Sequence, residues 1–148
     1  MKTPFLIGRL LLGGFFLYNG INHFAKRRQL AQYAAAKGVA KPEVAVTATG
    51  ALLSVGGASL ITGVLPKVGT AAIVAFLTGT SPMMHDFWRQ QDPNQRMNEM
   101  VHFTKNLAVL GAALALMSVD EPWKMSLPVA QPSRLEQVKR FARRAVAA

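Results

Sequence analysis

Four long apolar runs, separated by short polar segments, constrain the fold of this chain more than any other feature. A hydrocarbon core of about 30 Å needs about 17 to 25 helical residues at about 1.5 Å each. Each run falls near that range once its flanks are counted, so the pattern predicts an all-α, integral membrane four-helix bundle. The predicted spans are residues 4–23, 43–64, 68–85 and 98–119.

Composition supports a membrane environment. Hydrophobic residues make up 51% of the chain and charged residues only 16%, whereas an ordinary globular domain carries about 25% charged residues. The net charge of +10 is divided among short clusters between the apolar runs, where Lys and Arg meet lipid headgroups. We therefore expect a lipid bilayer as the partner of this charge and no nucleic acid.

Turn and capping residues agree with this division. Asp92 followed by Pro93 and Gln95 has the pattern of a helix N-terminus, so the fourth helix is expected to begin near Pro93. Residues 28–38 predict a short interfacial helix after span one. The first run also resembles the apolar part of a signal peptide, but no convincing cleavage site follows it, and we interpret it as a retained span.

The chain is expected to divide into a membrane domain, residues 1–121, and a basic C-terminal tail, residues 122–148. Apolar residues of the tail recur on one helical face among Lys and Arg, which predicts an interfacial helix attracted to the anionic cytoplasmic leaflet. A disordered charged tail is the alternative. The amphipathic interpretation puts both termini in the cytoplasm.

Polar residues concentrate on one side of the predicted bundle. With four crossings, the end of span one, the end of span three and the start of span four share the side opposite the termini, here called side A. Gln95, Glu99, His102 and Asn106 also lie on one helical arc. Candidate ligand or proton-site residues are His102, Asn106, Glu99, His85, Asp86, His23 and Asn19.

Such residues inside a span usually face the bundle interior and mark a ligand or proton path. They also serve as caps, anchors or interhelical hydrogen bonds, and both interpretations stay open. Lys105, Arg9, Trp88 and Trp123 are expected to be interfacial anchors. Glu99 and His102 have the Glu-x-x-His spacing of di-iron bundles, but one such motif is a weak match. The chain has no cysteine, the sequence favours neither haem nor a metal, and it leaves a quinone open as a ligand of the cluster.

Four segments together resemble the DoxX family of small membrane proteins. They are "GRLLLGGFFLYNGINHF" (8–24), a glycine-rich second helix, "MMHDFW" (83–88) and "HFTKNLAVLGAALAL" (102–116). The resemblance implies a four-helix membrane fold, in the bacterial plasma membrane. It also implies several roles, among them quinone-reactive subunits of sulfur-oxidising dehydrogenases, parts of oxidative-stress assemblies, and cargo receptors or chaperones.

Three functions are therefore compatible with the sequence. The first is an accessory or assembly subunit of a larger membrane complex, redox-linked or not, which is not an enzyme by itself and binds other membrane subunits or a second copy. The second is a quinone-interacting or proton-handling subunit of a membrane oxidoreductase. The third is a small-solute transporter, which four short helices without a visible inverted repeat make the weakest. We favour the first.

Overall fold

The computed structural model describes residues 3–121 and Trp123, and the predicted tail at residues 122–148 lies outside them except for that tryptophan. The described part of the chain is helical and contains no strand. The helices are α1 (Thr3–Ala25), α2 (Arg27–Ala36), α3 (Pro42–Thr62), α4 (Pro66–Met84) and α5 (Pro93–Met117), with a 3-10 turn (Phe87–Arg89) between α4 and α5.

Proline and capping residues set the helix boundaries. Helices α3, α4 and α5 each begin at a proline, whose fixed φ suits the first helical position, where its missing N–H is not needed. The carboxylate of Asp92 accepts a hydrogen bond from the Gln95 amide at 2.7 Å, which confirms the predicted N-cap. Helix α3 ends at Gly63, whose φ of 70° is the left-handed conformation that glycine adopts without a steric penalty.

Glycines bring α1 and α3 into close contact. A Cβ atom on Gly57 would collide with the backbone of Leu17 and lie 2.6 Å from the Gly13 carbonyl oxygen. A Cβ on Gly20 would likewise meet the backbone of Ser54 at 2.6 Å. Small residues at such positions let membrane helices approach backbone to backbone. Phe16, Leu53, Leu60, Ile73, Leu77 and Ala113 form the buried core beside this contact.

Helix α5 is the least enclosed of the long helices. It packs mainly against α4 and the 3-10 turn, whereas α3 contacts α1, α2 and α4. In its most apolar stretch 6% of the residues are buried, against 22% in α1 and 33% in α3. Helices α1 and α5 therefore stand on either side of an open groove, and the four long helices form an incompletely closed bundle.

The architecture confirms an all-helical membrane fold with a short helix, α2, after the first span. Three described helices, α1, α3 and α5, are long and apolar enough to cross a membrane. Helix α4, which corresponds to the predicted span 68–85, is not among the three; it has 19 residues, including Thr70, Ser81 and Pro82. It nevertheless packs between α3 and α5, so it belongs to the same bundle.

Candidate functional site

A lysine from the loop after α2 joins the two carboxylates predicted on side A. The Lys37 ammonium donates to Asp86 Oδ1 at 3.0 Å and to Glu99 Oε1 at 3.1 Å. Asp86 follows the end of α4 and Glu99 lies in the second turn of α5, so one cation links three segments. The Lys37, Asp86 and Glu99 side chains are 16%, 16% and 13% exposed, and a partly desolvated pair is screened less than a surface pair.

Two histidines extend this network along α5. His85 Nδ1 lies 2.8 Å from Glu99 Oε2, and the His85 ring stacks on that of His102 with centroids 5.2 Å apart and planes 17° from parallel. The Lys105 ammonium lies 3.2 Å from His102 Nδ1. We call Lys37, His85, Asp86, Glu99 and His102 the side A network.

Lys37 and Asp86 are the two members of the network outside the spans, and their contacts shift their pKa values. Burial lowers the pKa of Lys37, but its hydrogen bonds to Asp86 and Glu99 outweigh that effect and hold the pKa above its usual value. The hydrogen bond from Lys37 holds the pKa of Asp86 below its usual value, and Gln90 also donates to this carboxylate, at 3.1 Å. Both groups are therefore charged at neutral pH.

His23 and Asn19 do not join the side A network. His23 Nδ1 lies 2.8 Å from the Asn19 carbonyl oxygen, one turn earlier in α1, and the Asn19 amide donates to the Phe15 carbonyl at 2.8 Å. The His23 ring packs edge-on against Phe76, with centroids 6.2 Å apart. Of the three histidines, two thus lie in contact, and the third is separate.

A chamber of about 250 Å³ nevertheless brings the third histidine towards the others. It lies under α2, and its walls include His23 from α1, His85 from the end of α4 and Asn106 from α5. Most of the remaining lining is apolar. His23, His85 and Asn106 are all candidates from the sequence. They line the chamber together but form no hydrogen bonds with one another.

A groove of about 600 Å³ runs between α1 and α5, with α4 and Leu53 of α3 at its floor. Its walls are apolar along most of α1, and its polar residues are Asn19, His23, Lys105 and Asn106 at one end. His23, Phe76 and Asn106 line both the groove and the chamber. The two cavities therefore share part of their walls.

The four predicted anchors have different surroundings. Arg9 is 1% exposed; its guanidinium donates to the Ile61 carbonyl at 3.3 Å and lies 5.6 Å from the Trp123 ring centre. Trp123 is also buried. Trp88 is half exposed and packs on Phe87 and Phe103. Arg9 and Trp123 thus lie inside the protein, at the end opposite the side A network, and an anchoring role for any of the four stays a prediction.

Lys37 is the functional candidate that the sequence did not reveal. Its charge is ordinary for a loop, and only the path of the chain after α2 brings it to Asp86 and Glu99. Gly38, with φ of 82°, turns the backbone directly after Lys37. The Lys-Gly pair at the end of α2 was the sequence signal available for this turn. Among residues 3–121, no group of three or more His, Asp or Glu side chains has the arrangement of a metal site.

Comparison with protein families matches residues 5–86 to the family described as DoxX. The match spans more than half of the 148 residues. The chain belongs to the DoxX family. No curated protein and no solved structure matches it.

The DoxX match covers α1 except its first two residues, then α2, α3 and α4, and ends at Asp86. Residues 102–116, which carry the most specific part of the resemblance seen in the sequence, lie beyond it. The DoxX match therefore includes Lys37, His85 and Asp86 of the side A network, whereas α5 supplies Glu99 and His102 from outside the matched stretch. As a member of this membrane family, the protein is a multi-pass membrane protein in contact with lipid.

Proposed function

We propose that the protein is an accessory or assembly subunit of a larger membrane complex, and that α5 is the helix that contacts the partner subunit. The observation that carries this proposal is the unpartnered face of α5. Only 6% of the residues in its apolar stretch are buried, and its main neighbours are α4 and the 3-10 turn.

The exposed face of α5 has the composition of a helix–helix contact. Thr104, Ala108, Gly111 and Ala115 are all exposed, and their spacing of four, three and four residues puts them on one face. Around Gly111 there is open space where a Cβ atom would lie. Small residues of this kind let a second membrane helix approach closely, as Gly13 and Gly57 do inside this bundle.

The experiment is native mass spectrometry of the protein extracted from its own membrane, with the variant Gly111→Leu. We expect a stable larger assembly for the unaltered protein and its loss in Gly111→Leu, because leucine separates the helices. Gly14→Leu is the matched control, since Gly14 is also a helical glycine with open space around it, but on α1. A second copy of this chain as the partner would identify the complex as a homo-oligomer.

Two results would contradict the proposal. One is an unaltered protein that is extracted alone and monodisperse under conditions that preserve other membrane complexes. The other is an assembly that tolerates Gly111→Leu as well as it tolerates Gly14→Leu.

A second candidate function is a quinone-interacting or proton-handling subunit of a membrane oxidoreductase. The stacked His85 and His102 rings, with Glu99 hydrogen-bonded to the first, support it, because imidazoles change charge near neutral pH. Binding of a short-chain benzoquinone to the purified protein, and its loss in His102→Ala, is the expected result. Quinone binding that survives in His102→Ala would refute this role for the histidine pair.

We assign the complex to the bacterial plasma membrane, with cytoplasmic termini and side A outward. The basic tail supports this orientation, because anionic lipids concentrate in the cytoplasmic leaflet. Since the chain has no cysteine, a single Arg89→Cys variant can be labelled without background. We expect a membrane-impermeant maleimide to label Arg89→Cys in intact cells but not Lys67→Cys, at the opposite end of α4; the reverse would invert the topology.

A further inference from the structure

The groove between α1 and α5 is apolar along most of its length and carries a cation at one end. Both helices are long and apolar enough to cross a membrane, so an opening between them faces lipid. The volume of the groove, about 600 Å³, lies within the range of about 300 to 1,000 Å³ that small-molecule sites have. Among residues 3–121, Lys105 is the one formally charged residue that lines the groove.

The groove is long enough for one acyl chain. Along α1 its lining extends from Gly8 to His23, which is about 22 Å at about 1.5 Å per residue. A lipid of one leaflet reaches about half of a hydrocarbon core that is about 30 Å thick. Lys105, Asn106 and Asn19 line the end of the groove towards side A, which is the end at which the headgroups of the side A leaflet lie.

Lys105 pairs with no carboxylate within the described part of the chain. Its ammonium lies 3.2 Å from His102 Nδ1, which is one contact for a group with three hydrogens. Glu99, the only acidic residue of α5, does not line the groove and is bonded to Lys37 and His85. The ammonium therefore has both charge and hydrogens available for an anion that enters the groove.

Three neutral polar residues line the same end of the groove. Asn106 makes no side-chain hydrogen bond with the residues that the structure describes, and Asn19 donates one amide hydrogen to the Phe15 carbonyl at 2.8 Å and keeps the second. The contact of His23 Nδ1 with the Asn19 carbonyl oxygen leaves Nε2 for a ligand. Each carboxamide can donate and accept, so these residues alone do not select the charge of a ligand. An ammonium only donates, and Lys105 therefore favours an anion.

The charge of side A favours a phosphate as that anion. Its polar segments, residues 23–43 and 85–105, carry eight Lys or Arg and four Asp or Glu. A phosphate is negatively charged, and its oxygens form strong hydrogen bonds with charged donors. Because the surrounding bilayer consists of phospholipid, it brings a phosphate and an acyl chain to the mouth of the groove in one molecule.

We propose that the groove binds one acyl chain of a phospholipid from the side A leaflet, with the lipid phosphate at Lys105. The Lys105 ammonium donates to a phosphate oxygen, and the Asn106 amide donates to the same group. The second acyl chain stays in the bilayer, because the groove opens towards lipid. The bound chain thereby joins α1 and α5, which have little direct contact in the protein.

The first test compares two heads on the same acyl chains. Purified, delipidated protein in an uncharged detergent is mixed with dioleoylphosphatidylglycerol, whose only charge is the phosphate, or with dioleoylglycerol, and native mass spectrometry measures occupancy. We expect the phosphatidylglycerol to bind about tenfold more tightly, the effect of one hydrogen bond to a charged group. Equal binding of the two lipids would overturn the proposal. Tighter binding of oleate, an anion with the same chain but no phosphate, would also overturn it.

The second test removes the cation. Lys105→Gln should weaken phosphatidylglycerol binding about tenfold and leave dioleoylglycerol binding unchanged. Lys41→Gln is the matched control, because Lys41 is also an exposed lysine of side A but does not line the groove. An equal loss in the two variants would indicate diffuse attraction to a positive surface rather than a site. An undiminished preference for phosphatidylglycerol in Lys105→Gln would refute the assignment of the phosphate to this lysine.

The third test fills the groove. Val109 lines it, whereas Leu107 is exposed on α5 and does not, so Val109→Trp should abolish phosphatidylglycerol binding and Leu107→Trp should preserve it. Helical content measured by circular dichroism identifies any variant that fails to fold. Full phosphatidylglycerol binding in a folded Val109→Trp variant would contradict the assigned position of the acyl chain. Gly111→Leu, which tests the partner contact, should bind this lipid as the unaltered protein does, so the two proposals can fail separately.

Discussion

Replacing Lys37 by Met tests the side A network directly. The substitution keeps the length of the side chain and removes the charge that joins Asp86 to Glu99. Removing one partner of a fully buried ion pair costs about 3 to 5 kcal/mol, whereas exposed pairs contribute about 0 to 1 kcal/mol. The three side chains here are 13% to 16% exposed, and Gln90 and His85 continue to donate to the carboxylates. We therefore expect Lys37→Met to lower the free energy of unfolding by about 2 kcal/mol.

A loss of this size changes the folding equilibrium about thirtyfold. It can be measured by titrating detergent-solubilised protein with sodium dodecyl sulfate and following tryptophan fluorescence in a Trp123→Phe background, where Trp88 reports its packing on Phe87 and Phe103. The control is Arg27→Met, because Arg27 pairs with Glu43 at 2.6 Å but the two side chains are 49% and 59% exposed. The free energy of unfolding should fall by less than about 1 kcal/mol in that variant. Equal losses in the two variants would refute the argument from burial.

Two further predictions concern pH and helix packing. The pKa of Asp86 is held low, so the stability it contributes is present above its usual pKa of about 3.9 and is lost as pH falls through the lowered value. The pKa of Lys37 is held high, so its contribution is complete below about 10.4 and is lost as pH rises through the raised value. Unfolding titrations should thus show a constant difference between the unaltered protein and Lys37→Met from about pH 5 to 9, shrinking below about pH 4; a difference that persists in acid would contradict the assignment. Gly57→Leu should prevent α1 and α3 from packing and yield misfolded protein by circular dichroism, whereas Gly14→Leu should fold; a folded Gly57→Leu protein would contradict the close contact.

Helix boundaries and the polar side of the bundle were predictable because they depend on local sequence. Pro93 and the Asp92 cap mark the start of α5 within one turn, and helical spacing puts Glu99 and His102 near one face. The contacts of Lys37 depend on a loop path, which periodicity does not describe. The separation of His23 from the other histidines also escaped prediction. A common side of the membrane limits the depth of a residue but not its lateral position, and α5 packs against α4, whereas a groove separates it from α1.

The open position of α5 was not predictable for a related reason. Its apolar pattern is that of any membrane span, and lipid and protein neighbours are similarly apolar, so hydrophobicity does not distinguish a lipid-facing surface from an interface. A small residue distinguishes an interface from a lipid-facing surface only when the helix that packs against it is known. Gly57 has such partners within the bundle, and Gly111 has open space.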